Sequence, residues 1–276
     1  GTSAQYTGET FTIDATYLSR VEQVIDWALG QGLVTILDFH GQHLKSDFIK
    51  TFKVGESAYT DPDSARRAAD NAKFRAIWTI LADTFKDKSL KLVFEIINEP
   101  YFYMSKADMD TLNSQLLTII TQEGDNPTRN IIVTGGGLTS YNAITQIDPT
   151  LFDSSPNYLI GTFHYYNPYD FTSSSLESGN DEDWGASDES LVSGHFVNTV
   201  KDFADDNDVP VFLGEFGADN TGGYNYSTGD LNAVSANSTT GFADGGPDNT
   251  SKVAYMKYVA ELAITNGFAF AAWDAG

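Results

Sequence analysis

Apolar positions along the chain fall into two alternating patterns. Near-continuous apolar runs of strand length recur at LVTILDFHG (33–41), KLVFEIINEP (91–100), NIIVTGGG (130–137), YLIGTFHYYNP (158–168), PVFLGEFGA (210–218) and FAFAAWDAG (268–276). Runs that do not alternate polar with apolar predict parallel strands covered on both faces. Between them lie amphipathic stretches at 17–30, 65–86, 106–122, about 189–205 and 252–265. In the first of these, Leu18, Val21, Ile25 and Ala28 share one helical face, and Ser105 followed by Asp108 predicts a capping box at the start of the third. Trp27 and Trp78, both within such stretches, are expected in the core. Strand and helix in alternation give the α/β class with right-handed crossovers.

All six runs break into polar, Gly-rich or aromatic residues at their C-terminal ends. A doubly wound sheet gathers its ligands at one switch point, whereas a (β/α)8 barrel builds its site from every strand end, so the expected fold is of the (β/α)8 TIM-barrel type with about six strand-helix units. No G-x-G-x-x-G follows the first strand, which leaves a dinucleotide site without support. Two long polar connections, 169–188 and 218–251, leave strand C-termini and are expected over that face. Their Asp and Asn residues match no EF-hand spacing. Trp184, in the first connection, is either a substrate platform or an anchor for the loop.

Composition narrows the partners. With 276 residues, 41% of them apolar, the chain can bury a large core, and residues 1–276 are expected to form one domain. Acidic residues outnumber basic ones 38 to 16, for a net charge of −22, so nucleic acid and anionic membrane are disfavoured. The absence of cysteine excludes disulfides, thiolate zinc sites and a cysteine nucleophile. No run of 18 apolar residues occurs, and GTSAQYTGETF lacks the regions of a signal peptide. Asn225, Asn237 and Asn249 open N-x-Ser/Thr sequons within one Asn-, Ser- and Thr-rich stretch, where chance accounts for such matches.

The strand ends together offer Asp38 and His40, Asn98 and Glu99, Gly135 to Gly137, His164 and Tyr166, Glu215, and Trp273. Two glutamates, two imidazoles, an amide, a phenol and an indole suit a carboxylate-pair enzyme better than a metal or phosphate site. Glycosidic cleavage needs a proton for the leaving oxygen and negative charge or a nucleophile at the developing oxocarbenium carbon. Each carboxylate then works in a different protonation state, set by its surroundings. Glu95 shares strand parity with Glu99 but lies lower in the strand, where it is expected as a buried polar residue.

VFEIINEP, HYYNPYDFT, LGEFGA and AAWDAG, in that order and spacing, resemble glycoside hydrolase family 5, the large family of retaining glycanases that contains many cellulases. The resemblance runs from about residue 11 to the last residue. It implies that Glu99 is the acid/base and that Asn98 bonds the 2-hydroxyl of the sugar at the cleavage point. It also implies that Glu215 is the nucleophile, with Tyr166 donating to it. His40 and His164 would shape the site's hydrogen bonding, and Trp273 would be the floor on which a sugar ring stacks. The implied substrate is a β-1,4-glucan, the implied location extracellular, and neither cofactor nor metal is required. A β-mannanase or β-1,3-glucanase on the same machinery, and a non-catalytic barrel that binds glycan or self-assembles, are the alternatives.

Against the family pattern, the first run here matches the third of eight strands. The first two strands are then expected before residue 1, together with an Arg that pairs with the nucleophile, and the closing helix is expected after Gly276. Open strand edges predict self-association.

Overall fold

A computed structural model describes residues 11–40, 65–153, 158–173, 183–219, 224–225, 230–231, 247 and 249–273. His43 and Asn237 lie outside them, as does most of the connection at 218–251. The elements in order are α1 (Ala15–Gly30), β1 (Thr35–Asp38), α2 (Ala65–Phe85), β2 (Leu92–Glu95), a 3-10 turn (Pro100–Phe102), α3 (Lys106–Thr118) with a π turn (Ile119–Glu123), and β3 (Ile131–Val133). A 3-10 segment (Ser140–Gln146), α4 (Thr150–Asp153), β4 (Leu159–Tyr165), α5 (Tyr169–Thr172), α6 (Ala186–His195) with a π turn (Phe196–Lys201), α7 (Asp202–Asn207) and β5 (Val211–Phe216) follow. The chain continues through the short antiparallel pair β6 (Tyr224–Asn225) and β7 (Asp230–Leu231), then α8 (Asn249–Thr265) and β8 (Ala269–Phe270). Each apolar run contains a strand and each amphipathic stretch a helix, the order of the (β/α)8 type. Among the described residues, no helix is long and apolar enough to cross a membrane.

Packing separates two compact units, Gly1–Thr139 with Gln146–Gly161, and Ser140–Thr145 with Thr162–Gly276. In the first, β1, β2, β3 and the start of β4 pair in that order, all parallel, with Thr35 opposite Leu92, Phe94 opposite Ile131 and Ile131 opposite Leu159. β2 and β3 are buried throughout, as doubly covered strands should be. At the edge strand β1, by contrast, Ile36 is exposed, as are Leu33 and Val34 just before it. Asp14 caps α1 through Tyr17 N–H at 2.8 Å, and the helix turns Ile25 inward. Trp27 is 56% exposed, contrary to the core position expected of it. Two residues beyond Ile25 is about 200° around a helix, so Trp27 faces outward, where the Arg20 guanidinium lies 5.2 Å over its ring. Trp78 is fully buried, and its indole N–H donates to the Ile96 carbonyl at 3.1 Å. At Ser105 the predicted box is half formed. The hydroxyl accepts from Asp108 N–H at 3.2 Å, but the Asp108 carboxylate takes the Ser105 hydroxyl rather than the backbone N–H.

Arg129 closes the base of this unit. It is 2% exposed and donates to the carbonyls of Phe85, Lys86, Lys88, Ser89 and Leu92 and to Asn126 Oδ1, at 2.7–3.2 Å, with its guanidinium 5.2 Å from the Phe94 ring. A cation at a helix C-terminus meets the negative end of the dipole and the carbonyls that the helix leaves without donors. Arg129 therefore ties the end of α2 to the start of β2.

In the second unit, Thr162 Oγ1 donates to the Phe212 carbonyl at 3.0 Å, and β5 pairs in parallel with β8 through Phe212 opposite Ala269. The core is aromatic, with Phe163, Phe196 and Phe268 packed edge to face or tilted at 5.5–6.2 Å between ring centres. Tyr255 from α8 donates to the Tyr165 carbonyl at 3.2 Å.

Candidate active site

The first group of candidate residues stands at the ends of β1 and β2. β2 stays tied to its neighbour as far as Asn98, whose N–H donates to the Phe39 carbonyl at 3.3 Å. One residue later the chain turns sharply. Glu99 has φ 45° and ψ 54°, in the left-handed region, and Pro100 starts the 3-10 turn. The next phenol in the chain then reaches back, and Tyr101 OH donates to Glu99 Oε1 at 2.9 Å. Beside it, His40 Nδ1 lies 2.8 Å from Asp38 Oδ2, and His40 Nε2 lies 3.5 Å from Asn98 Nδ2. A carboxylate only accepts, so Nδ1 carries the proton and Nε2 accepts from the Asn98 amide. Asn98 is buried and Glu99 half-buried. Glu95 is buried in register with Asp38, the lower position expected of it.

The second group stands at the ends of β4, β5 and β8. Tyr166 OH donates to Glu215 Oε2 at 2.7 Å, and His164 Nδ1 lies 3.4 Å from the same oxygen. His164 and most of the Glu215 side chain are buried. Both glycines of G-E-F-G leave room for this arrangement. A Cβ on Gly214 would stand 2.9 Å from His164 Nε2 and 3.0 Å from Thr162 Oγ1, and one on Gly217 would meet the Trp273 carbonyl at 3.2 Å. Trp273, 46% exposed, is placed by its own N–H, which donates to the Phe216 carbonyl at 2.9 Å.

Several supporting residues were not singled out from the sequence. Tyr101 is one; it stands two residues after Glu99, but only the left-handed turn at Glu99 brings its hydroxyl back to the carboxyl group. Thr172 Oγ1 donates to the Tyr166 carbonyl at 2.6 Å, Ser140 Oγ to the His164 carbonyl at 3.3 Å and Asn167 Nδ2 to Ser140 Oγ at 2.7 Å. No local pattern marks these, because they depend on folded-back connections. Trp184 packs against Phe171, Tyr255 and Tyr258 at 5.3–5.9 Å, which makes it the loop anchor of its two alternatives. His195 Nδ1 lies 2.8 Å from Tyr165 OH, and its ring stacks on Tyr141 at 3.9 Å. Burial raises the Tyr165 pKa well above the phenol range and lowers that of His195, so both are neutral at pH 7.

Comparisons with known proteins place the chain in a family. A family model described as cellulase (glycosyl hydrolase family 5) matches residues 2–276. Endoglucanase H of Acetivibrio thermocellus is 35% identical over 266 residues, which cover 96% of this chain and 24% of that protein. Endoglucanase A of Paenibacillus barcinonensis is 23% identical over 264 residues, covering 84% of this chain and 62% of the relative. The chain thus spans about a quarter and somewhat under two thirds of these relatives. Among solved structures, a tri-modular family 5, subfamily 4 endo-β-1,4-glucanase from Bacillus licheniformis superposes with a TM-score of 0.73 at 26% identity, over 98% of this chain and 44% of that one. Strand-end glutamates, their phenolic partners and a family match over nearly the whole length lead to one conclusion: this chain belongs to the cellulase family, glycosyl hydrolase family 5.

Proposed function

We propose that the chain carries the catalytic machinery of a retaining, endo-acting glycoside hydrolase that cleaves β-1,4-glucan. The observation that carries the reading is that Glu99 and Glu215 each end a parallel strand and each accept a hydrogen bond from a phenol, at 2.9 and 2.7 Å. In the first step Glu99 gives its proton to the glycosidic oxygen, the C1–O bond breaks, and a Glu215 carboxylate oxygen bonds to C1. In the second step Glu99 takes a proton from water, the water oxygen bonds to C1, and the bond to Glu215 breaks, so that configuration is retained. Glu215 suits the nucleophile because Tyr166 fixes Oε2 and so orients the other oxygen. Asn98, turned by the Asp38–His40 pair, would bond the sugar 2-hydroxyl, and half-exposed Trp273 would stack on a ring. Family membership supports β-glycan hydrolysis, and the likeness to the Bacillus licheniformis endo-β-1,4-glucanase favours glucan.

The test is Glu99→Gln and Glu215→Gln on carboxymethylcellulose, with product anomers followed by NMR. Each variant should lose about 10²-fold or more, and the first product should be the β-anomer. Wild-type-like activity in either variant, or an α-anomer, would overturn the reading. Glucan, mannan and xylan polymers assayed side by side settle the substrate class, and cellulose binding without release of sugar would instead support a non-catalytic role. Because a polymer cannot enter a cell, the protein is proposed to act outside it. Exposed Ile36 on β1 and Leu33 and Val34 just before it, with Phe270 on β8, support self-association through these strands, and a clean monomer by gel filtration would exclude it.

A further inference from the structure

We propose that Tyr101 is a positioning residue for the acid/base, assigning which oxygen of Glu99 carries the catalytic proton. This rests on the reading of Glu99 given above. The backbone at Glu99 costs about 1 to 3 kcal/mol for a residue with a side chain in the left-handed region. It is held there from both sides. Asn98 N–H is fixed to the Phe39 carbonyl, and Pro100 carries a carbonyl that accepts both Tyr103 N–H at 3.1 Å and Met104 N–H at 3.0 Å. Met104 in turn accepts Gly137 N–H at 2.8 Å, which anchors the turn to the segment after β3. Tyr101, the middle residue of the 3-10 turn, is 7% exposed, so its ring is packed and its hydroxyl oxygen is held in place.

That hydroxyl donates to Glu99 Oε1. With the phenol on Oε1, the acidic proton resides on Oε2. Oε2–H is then the bond that breaks as the glycosidic oxygen is protonated, and Oε2 receives the proton back from water. Tyr101 acts through Glu99: it selects the oxygen and fixes the rotamer that deliver the proton. Loss of the hydroxyl should therefore matter in proportion to how much the leaving group needs a proton.

The experiment is Tyr101→Phe, which keeps the packed ring, assayed on cellotetraose and on aryl β-cellobiosides of graded leaving-group acidity, with Glu99→Gln in parallel. For cellotetraose, kcat/KM should fall about tenfold, the loss expected of one hydrogen bond to a carboxyl group that becomes charged as it gives up its proton, with KM unchanged. For dinitrophenyl β-cellobioside, whose departure needs no protonation, kcat/KM should stay at the wild-type value, which also shows that the variant is folded. An equal loss across the series, or no loss on cellotetraose, overturns the role of Tyr101. If Glu99→Gln itself shows no dependence on the leaving group, the assignment of Glu99 fails, and this inference with it.

Discussion

Replacing Arg129 with Met should destabilise the protein, and the size follows from its hydrogen bonds. The guanidinium serves the Phe85 and Leu92 carbonyls and Asn126 Oδ1 in buried surroundings, and the Lys86, Lys88 and Ser89 carbonyls at the boundary with water. Water can replace the donor for the boundary group. The buried acceptors cannot be reached, although Phe85 keeps the Lys88 N–H at 3.1 Å. At about 1 kcal/mol or more for each buried acceptor left short, the loss is about 3 kcal/mol. For chains of this size that corresponds to about 2 to 4 °C per kcal/mol, or about 6 to 12 °C in Tm. Lys at this position offers three protons in place of a planar fork and should recover about half. The assay is calorimetric or circular-dichroism melting of wild type, Arg129→Met and Arg129→Lys. Since the partners are dipoles and no acid, the shift should be the same at about 0.05 and about 1 M NaCl. A Met variant within about 2 °C of wild type, or a shift that vanishes in salt, would refute the reasoning.

Gly214→Ala should lower both activity and Tm, because its Cβ would stand 2.9 Å from His164 Nε2 and 3.0 Å from Thr162 Oγ1; overpacking of this kind costs about 1 to 3 kcal/mol. Steady-state kinetics beside a melting curve measures both. Tyr166→Phe should reduce kcat with little change in Tm, since the ring is kept and only the donor to Glu215 is lost. His195 titrates below its ordinary value in the folded state, so its neutral form stabilises the protein fully above the unfolded pKa near 6.5 and that contribution is lost as pH falls through the folded value. Tm should accordingly drop between about pH 7.5 and about pH 5.5, and less in His195→Gln than in wild type.

Element order and the two glutamates were legible in the sequence for different reasons. Strands such as β2 announce themselves because both faces are covered, leaving Leu92 to Ile97 almost without a polar position apart from Glu95. Glu99 stands out because a carboxylate at the end of such a strand must meet solvent or substrate. Apolar character alone does not place Trp27; helical phase counted from Ile25 puts it on the outer face. Tyr101 and Thr172 were not legible as partners, since their roles depend on a left-handed turn at Glu99 and on the connection after β4. The Arg129 network was equally hidden, because its acceptors are main-chain carbonyls that every residue possesses.

The two glutamates differ in the chain distance that disciplines them. Glu99 takes its phenol from two residues on, Glu215 from 49 residues back. The first constraint closes a loop of almost no entropy and can form as soon as the local turn does. The second exists only after β4 and β5 have found each other, at the cost of ordering everything between them. On heating, therefore, Glu215 should lose its orientation while Glu99 keeps its own, and loss of glycanase activity should run ahead of the loss of helical signal.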